Sequence, residues 1–162
     1  MIVPREELMQ RREAWRREGH TVVLTNGVFD LLHYGHITYL EAARRLGDLL
    51  IVGLNSDISV QTIRGPLRPL VPQDQRAGVL AALRCVDYVT IFDEPTAEAL
   101  VAALQPDVYV KGGDYTIAEG DAGKPLPEAQ IVRGYGGRVE LIRYLPGLST
   151  TALIERIIER YR

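Results

Sequence analysis

The chain has 162 residues, of which 46% are apolar and 25% charged, and a formal net charge of -2. That size and balance suit one folded domain around one core and exclude a disordered, collagen-like or disulfide-framed chain. The slight negative charge argues against broad attraction to nucleic acid or membrane, so any phosphate binding must rest on local cations. One cysteine, Cys85, permits no internal disulfide and suits a reducing cytosol. The first residues lack the apolar centre of a signal peptide and no apolar run reaches membrane-spanning length, so the expected location is cytoplasmic.

Residues 5–18 are charge-rich around Leu8, Met9 and Trp15 and stop at Gly19, which predicts an amphipathic helix packed on the first strand or on a partner chain. Its arginines read as a solvated face. An apolar strand is expected at 21–24 and a helix at 37–46. Between them runs Asn26-Gly27-Val28-Phe29-Asp30-Leu31-Leu32-His33-Tyr34-Gly35-His36. A helix start offers unpaired backbone N–H groups and the positive end of the peptide dipole, which together bind anions. Gly27 and Gly35 remove side chains where a phosphate would approach the backbone. His33 and His36, three residues apart, can both donate to the oxygens of one phosphate. Zinc coordination is the rival reading, but no third ligand lies nearby and Cys85 is far away in sequence.

A second apolar strand at 48–54 ends in Asn55-Ser56-Asp57, with a short helix expected at 58–63. Residues 64–72 then hold three prolines, a glycine and the two cations Arg64 and Arg68, which reads as a loop able to close over a triphosphate. A helix follows at 73–83, carrying Arg76, then a strand at 86–92, a helix at 97–104 and a strand at 108–110. Strands alternating with helices in this rhythm imply a parallel α/β sheet, whose ligands sit at the carboxyl ends of the strands. Lys111-Gly112-Gly113-Asp114-Tyr115 therefore falls on the same rim as the histidines. Lys111 can meet a phosphate there, and Asp114 can accept from sugar hydroxyls or a nucleotide amine. A loop at 116–127, a helix at 127–135, a fifth strand at 138–145 and a last helix from Ala152 complete the chain. Ser149 is placed to cap that helix, ahead of Thr150 and Thr151.

The Asn-Gly-x-Phe-Asp-Leu-Leu-His-x-Gly-His stretch resembles the signature of the HxGH nucleotidyltransferases. The motifs around Asn55 and Asp57, at Arg68, at Lys111 to Tyr115 and at Leu148 to Thr151 extend the likeness to the ADP-heptose synthases, in their D-glycero-D-manno-heptose 1-phosphate adenylyltransferase domain. The resemblance implies a Rossmann-like five-stranded parallel sheet with helices on both faces, in one nucleotidyltransferase domain over 1–162. It implies transfer of AMP from ATP, with Mg2+, to a sugar phosphate. Asn26, Gly27, Val28, Phe29, Gly35, the two histidines, Arg64, Arg68, Ser149, Thr150 and Thr151 would hold the nucleotide. Asp30, Asn55, Asp57, Arg76, Lys111, Gly112, Gly113, Asp114 and Tyr115 would hold the acceptor, with His33, His36 and Lys111 acting in the reaction. No protein metal ligand is expected. Arg64 stands where such a loop usually carries lysine, and Asp30 reads as fixing the signature turn rather than reacting. The resemblance further implies a separate sugar kinase and a homodimer offered by the apolar face of the first helix. A glycerol 3-phosphate cytidylyltransferase and a nucleotide-sensing module without turnover stand as alternatives.

Overall fold

The computed structural model describes residues 1–113, 115–116, 124–143 and 147–161. Five parallel strands form the main sheet: β1 (Val22–Gly27), β2 (Leu49–Asn55), β3 (Tyr88–Phe92), β4 (Val108–Gly112) and β7 (Arg138–Ile142), in the order β3-β2-β1-β4-β7. A two-stranded ladder of β5 (Tyr115–Thr116) and β6 (Lys124–Pro125) lies apart from it, inside a stretch expected to be loop. The helices are α1 (Arg5–Glu18), α2 (Tyr34–Arg44), α3 (Asp57–Arg64), α4 (Gln73–Ala81), α5 (Glu98–Leu104), α6 (Glu128–Gly134) and α7 (Thr150–Tyr161).

Side chains alternate across the sheet, so each central strand feeds two cores. Val22, Leu24, Ile51 and Tyr109 face Leu8 and Trp15 of α1, Leu100 and Leu104 of α5, and Val132 of α6. Val23, Leu50, Val52, Val108 and Val110 face Tyr39 and Leu40 of α2 and Ala77 and Leu80 of α4. On that second face the hydroxyls of Thr25 and Tyr39 meet at 2.6 Å, and the Tyr39 hydroxyl also donates to the Val110 carbonyl at 3.3 Å. One polar residue of α2 thus ties β1 to β4 where the strand order reverses.

β1 runs on through Asn26 and Gly27, and α2 starts three residues before the expected 37. His33 is consequently the cap residue before α2, and His36 lies within its first turn. Arg64 closes α3 rather than opening the loop, and α7 starts at Thr150.

The arginines of α1 are not all a solvated face. Arg12 is 4% exposed, and it donates to the carbonyls of Leu104 and Gln105 and to the Asp107 carboxylate at 2.9 Å. Asp107 in turn accepts the Val22 backbone N–H at 2.7 Å, so a single ion pair fastens α1 to the amino ends of β1 and β4. Arg12→Ala should lower unfolding free energy by about 2 kcal/mol in urea denaturation, because charged hydrogen bonds and buried carbonyls lose their partner. Arg16→Ala, whose ion pair with Glu13 is exposed, should cost under about 0.5 kcal/mol.

Candidate active site

A cleft of about 610 Å³ opens over the carboxyl ends of β1 and β4, where the strand order switches direction. Its floor is the turn from β1 into α2. Phe29 adopts a left-handed backbone, φ 46°, which a non-glycine residue holds only under constraint. The constraint is visible: the Phe29 side chain is buried, and a Cβ on Gly27 would meet its ring at 3.0 Å. Gly35 is needed for another close approach, since a Cβ there would meet the His33 ring and Leu148 Cβ, each at 3.1 Å.

The two imidazoles lie with ring centroids 3.9 Å apart, tilted by 31°. The backbone N–H of His33 donates to Nδ1 of His36 at 3.3 Å, which occupies one of the orphan donors of the helix start. With Nδ1 accepting, the neutral His36 ring must carry its proton on Nε2. Burial, assisted by the neighbouring His33, pushes the His36 pKa down to about 4, and burial also lowers that of His33. Near neutral pH the pair therefore presents uncharged N–H donors. Nδ1 of His33 is buried without a protein partner, so its ring has hydrogen-bonding capacity still unused.

Lys111 is the last residue but one of β4. Its Nζ donates to Asn26 Oδ1 at 2.9 Å, and the same oxygen accepts the Tyr109 hydroxyl at 2.6 Å. Asn26 therefore positions the lysine. Desolvation lowers the Lys111 pKa to about 8, against the opposing charge of Glu128. The amino end of α7 borders the same cleft through Ser149, Thr150 and Thr151. Ser149 Oγ accepts the Ala152 N–H at 3.0 Å, as its capping role requires, and the Thr150 hydroxyl reaches the Leu31 carbonyl at 3.5 Å. Two helix starts thus point at one cavity, with the exposed Arg64 at its mouth.

Asp30 lines the cleft, but both its oxygens are engaged: Arg68 donates at 2.8 Å, and the backbone N–H groups of Leu70 and Val71 donate at 2.9 Å. It clamps the 64–72 segment onto the signature turn. Arg76, expected to face substrate phosphates, is turned inward and does not line the cleft. Its guanidinium donates to the carbonyls of Val28, Asn55 and Val71 and to Asp57 Oδ1, and at 1% exposure it is closed to a ligand. Asp57 is likewise taken up by Arg76, and Asn55 borders the cleft while donating to Ser59 Oγ. Gly112 and Gly113 lie beside the lining, with the Gly113 N–H bonded to the Ile142 carbonyl at 3.2 Å. Asp114 is outside the described residues, and only the backbone of Tyr115 is described. Tyr39, Thr96 and Glu128 line the cleft without a motif to announce them, and Leu148 lines it as the first residue of the motif that runs to Thr151. No group of three or more metal-ligating side chains occurs among the described residues, and none of the described helices is long and apolar enough to cross a membrane.

An α/β sheet of this order with paired histidines at a helix start over its switch point defines a nucleotidyltransferase. The chain matches the family model described as cytidylyltransferase-like over residues 24–156 and belongs to that family. It is 57% identical over 97% of its length to the bifunctional protein HldE of Syntrophotalea carbinolica, and 56% identical over 99% to HldE of Trichlorobacter lovleyi. It spans 31% of the length of each of those proteins. Among solved structures, a lipopolysaccharide core biosynthesis protein from Thermoplasma volcanium matches with TM-score 0.60 and 28% identity, covering 78% of this chain and 98% of that one. Pantoate-beta-alanine ligase from Francisella tularensis, at 12% identity and TM-score 0.58, shares the fold.

Binding of a nucleoside triphosphate should weaken as pH rises through about 8, where Lys111 loses its proton in the free protein. The charged form attracts the anion, so affinity is present below that pH and declines above it. Titration calorimetry from pH 7 to 9.5 should show this decline in the parent and a flatter profile in Lys111→Arg, whose guanidinium stays charged.

Proposed function

We propose that the chain transfers AMP from ATP to D-glycero-D-manno-heptose 1-phosphate, giving ADP-heptose and pyrophosphate. The observation that carries the chemistry is the histidine pair held as neutral donors at the start of α2, facing Lys111 and the capped start of α7 across one cleft. The acceptor assignment is supported by the Lys111-Gly112-Gly113-Asp114-Tyr115 motif and by the similarity to HldE across nearly the whole chain. The Thermoplasma volcanium neighbour's assignment to lipopolysaccharide core biosynthesis also favours a sugar phosphate.

In this reading the α-phosphate lies between the Gly27 to Phe29 backbone and the N–H groups of His33 and His36. An acceptor phosphate oxygen forms the new bond to the α-phosphorus, the bond to the bridging oxygen breaks, and pyrophosphate leaves with that electron pair. No general base is needed, because a phosphate monoester with a second pKa of about 6 is already largely ionised near pH 7. The protein contributes position and charge: His33 and His36 donate to the α-phosphate, Lys111 bridges nucleotide and acceptor, and Arg64 with the start of α7 holds the departing phosphates. Asp30 acts through Arg68 by fixing the loop. Among the described residues no carboxylate cage is found, which suits magnesium that arrives on the triphosphate, and Mg2+ would supply further neutralisation of phosphate charge. Supply of the acceptor requires a kinase acting on the heptose, and the homodimer remains part of the proposal.

The test is pyrophosphate release with magnesium, crossing ATP, CTP and GTP against both anomers of heptose 1-phosphate and glycerol 3-phosphate. Release with ATP and one heptose anomer is expected. Release with CTP and glycerol 3-phosphate would transfer the protein to that acceptor class, and nucleotide binding without release in any combination would make it a sensing module.

A further inference from the structure

Among the described residues two carboxylates, Asp30 and Glu128, line the cleft, and the protein uses them differently. Asp30 has both oxygens occupied by donors of the 68–71 segment. Glu128, the first residue of α6 and 4% exposed, commits Oε1 to the Ala97 backbone N–H at 3.0 Å. Its other oxygen takes no hydrogen bond from the described residues, yet it is not sealed from the cleft. A buried carboxylate with spare acceptor capacity is costly unless something donates to it. Here it also stands in a cleft built from phosphate-binding groups, where its charge repels the polyphosphate and is felt by Lys111.

The surrounding wall has the same character. Glu128 anchors the turn before α5 through Ala97, and the neighbouring Thr96 lines the cleft beside Pro95, Pro125 and Pro127. Thr96 gives its hydroxyl proton to Glu98 Oε2 at 2.8 Å, so its oxygen can only accept from a ligand. Prolines have no backbone N–H to offer. This wall therefore accepts hydrogen bonds and repels anions, opposite to the histidine and lysine side, and it is complementary to a neutral polyol.

We propose that Glu128 is a specificity residue that accepts a hydrogen bond from a sugar hydroxyl, with Thr96 as a second acceptor beside it. The inference rests on the functional reading above, in which two sugars enter the cleft: the nucleotide's ribose and the ring of the acceptor. Glu128 contributes by rejecting ligands that carry phosphate or no hydroxyl at this point, while the histidines and Lys111 hold the phosphates elsewhere.

Glu128→Gln is the discriminating variant, because its amide oxygen can still accept from Ala97 while the free carboxylate oxygen is lost. It should keep the parent's melting temperature and raise the KM of one sugar-bearing substrate about tenfold, the loss expected for a hydrogen bond to a charged group. A rise confined to heptose 1-phosphate assigns Glu128 to the acceptor ring. A rise confined to ATP, together with loss of the parent's preference for ATP over 2′-deoxy-ATP and 3′-deoxy-ATP, assigns it to the ribose. Both KM values within twofold of the parent, whether or not the melting temperature falls, would overturn the inference and leave Glu128 as the anchor of the Ala97 turn. A parent protein inactive with every sugar phosphate would overturn the functional reading, and this inference with it.

Discussion

The hydrogen bond from the His33 backbone to the His36 ring is the contact on which the site depends. It does in one stroke what a helix start needs and what a phosphate site needs. The helix gains a partner for an orphan N–H, and the ring is turned so that its remaining N–H faces outward. The turn feeding it is strained at Phe29, and the strain is contained by packing on both sides: the Phe29 ring over Gly27, and the Asp30 clamp on the following loop. Removing any of these would move the histidines before it touched a ligand.

Charge is arranged locally, against a slightly negative whole. Burial keeps the histidines neutral near pH 7 and lowers the Lys111 pKa to about 8, so the free protein holds one ammonium beside two uncharged rings rather than three cations in one cavity. An incoming polyphosphate raises the Lys111 pKa by its own charge, and so holds the lysine protonated while the ligand is bound. The starts of α2 and α7 add positive potential at no titration cost. Asn26 joins the halves: one side-chain oxygen at the end of β1 receives the hydroxyl and ammonium of two β4 residues.

Much of this was legible in the sequence because local rules and tertiary structure agree there. Alternating strands and helices gave the parallel sheet, the glycines and histidines gave the signature turn, and Ser149 before α7 reads as a cap and is one. The arginines were not legible. Arg12 looks like a surface cation on an amphipathic helix and Arg76 like a ligand for substrate phosphates, and only the fold brings the carbonyls of Leu104 and Gln105, or of Val28, Asn55 and Val71, to meet them. Glu128 after Pro127 reads as an ordinary acidic helix start for the same reason. The β5 and β6 ladder is two residues per strand, too short for any alternation to register. Apolar spacing alone starts α2 at 37, because Tyr34 and Gly35 fall outside it, whereas the capping by His33 and His36 that begins the helix at Tyr34 is a matter of geometry.

The account stands most directly on the state of the two rings, which nitrogen-15 and carbon-bound proton NMR of the ligand-free protein reads across pH 3 to 9. It predicts a His36 ring protonated at Nε2 alone through neutral pH, titrating near 4. A ring protonated at Nδ1 would contradict it, because the bond from His33 would then not be made, and so would a ring that titrates at the ordinary histidine value of about 6.5, because the burial that keeps it neutral would then be missing.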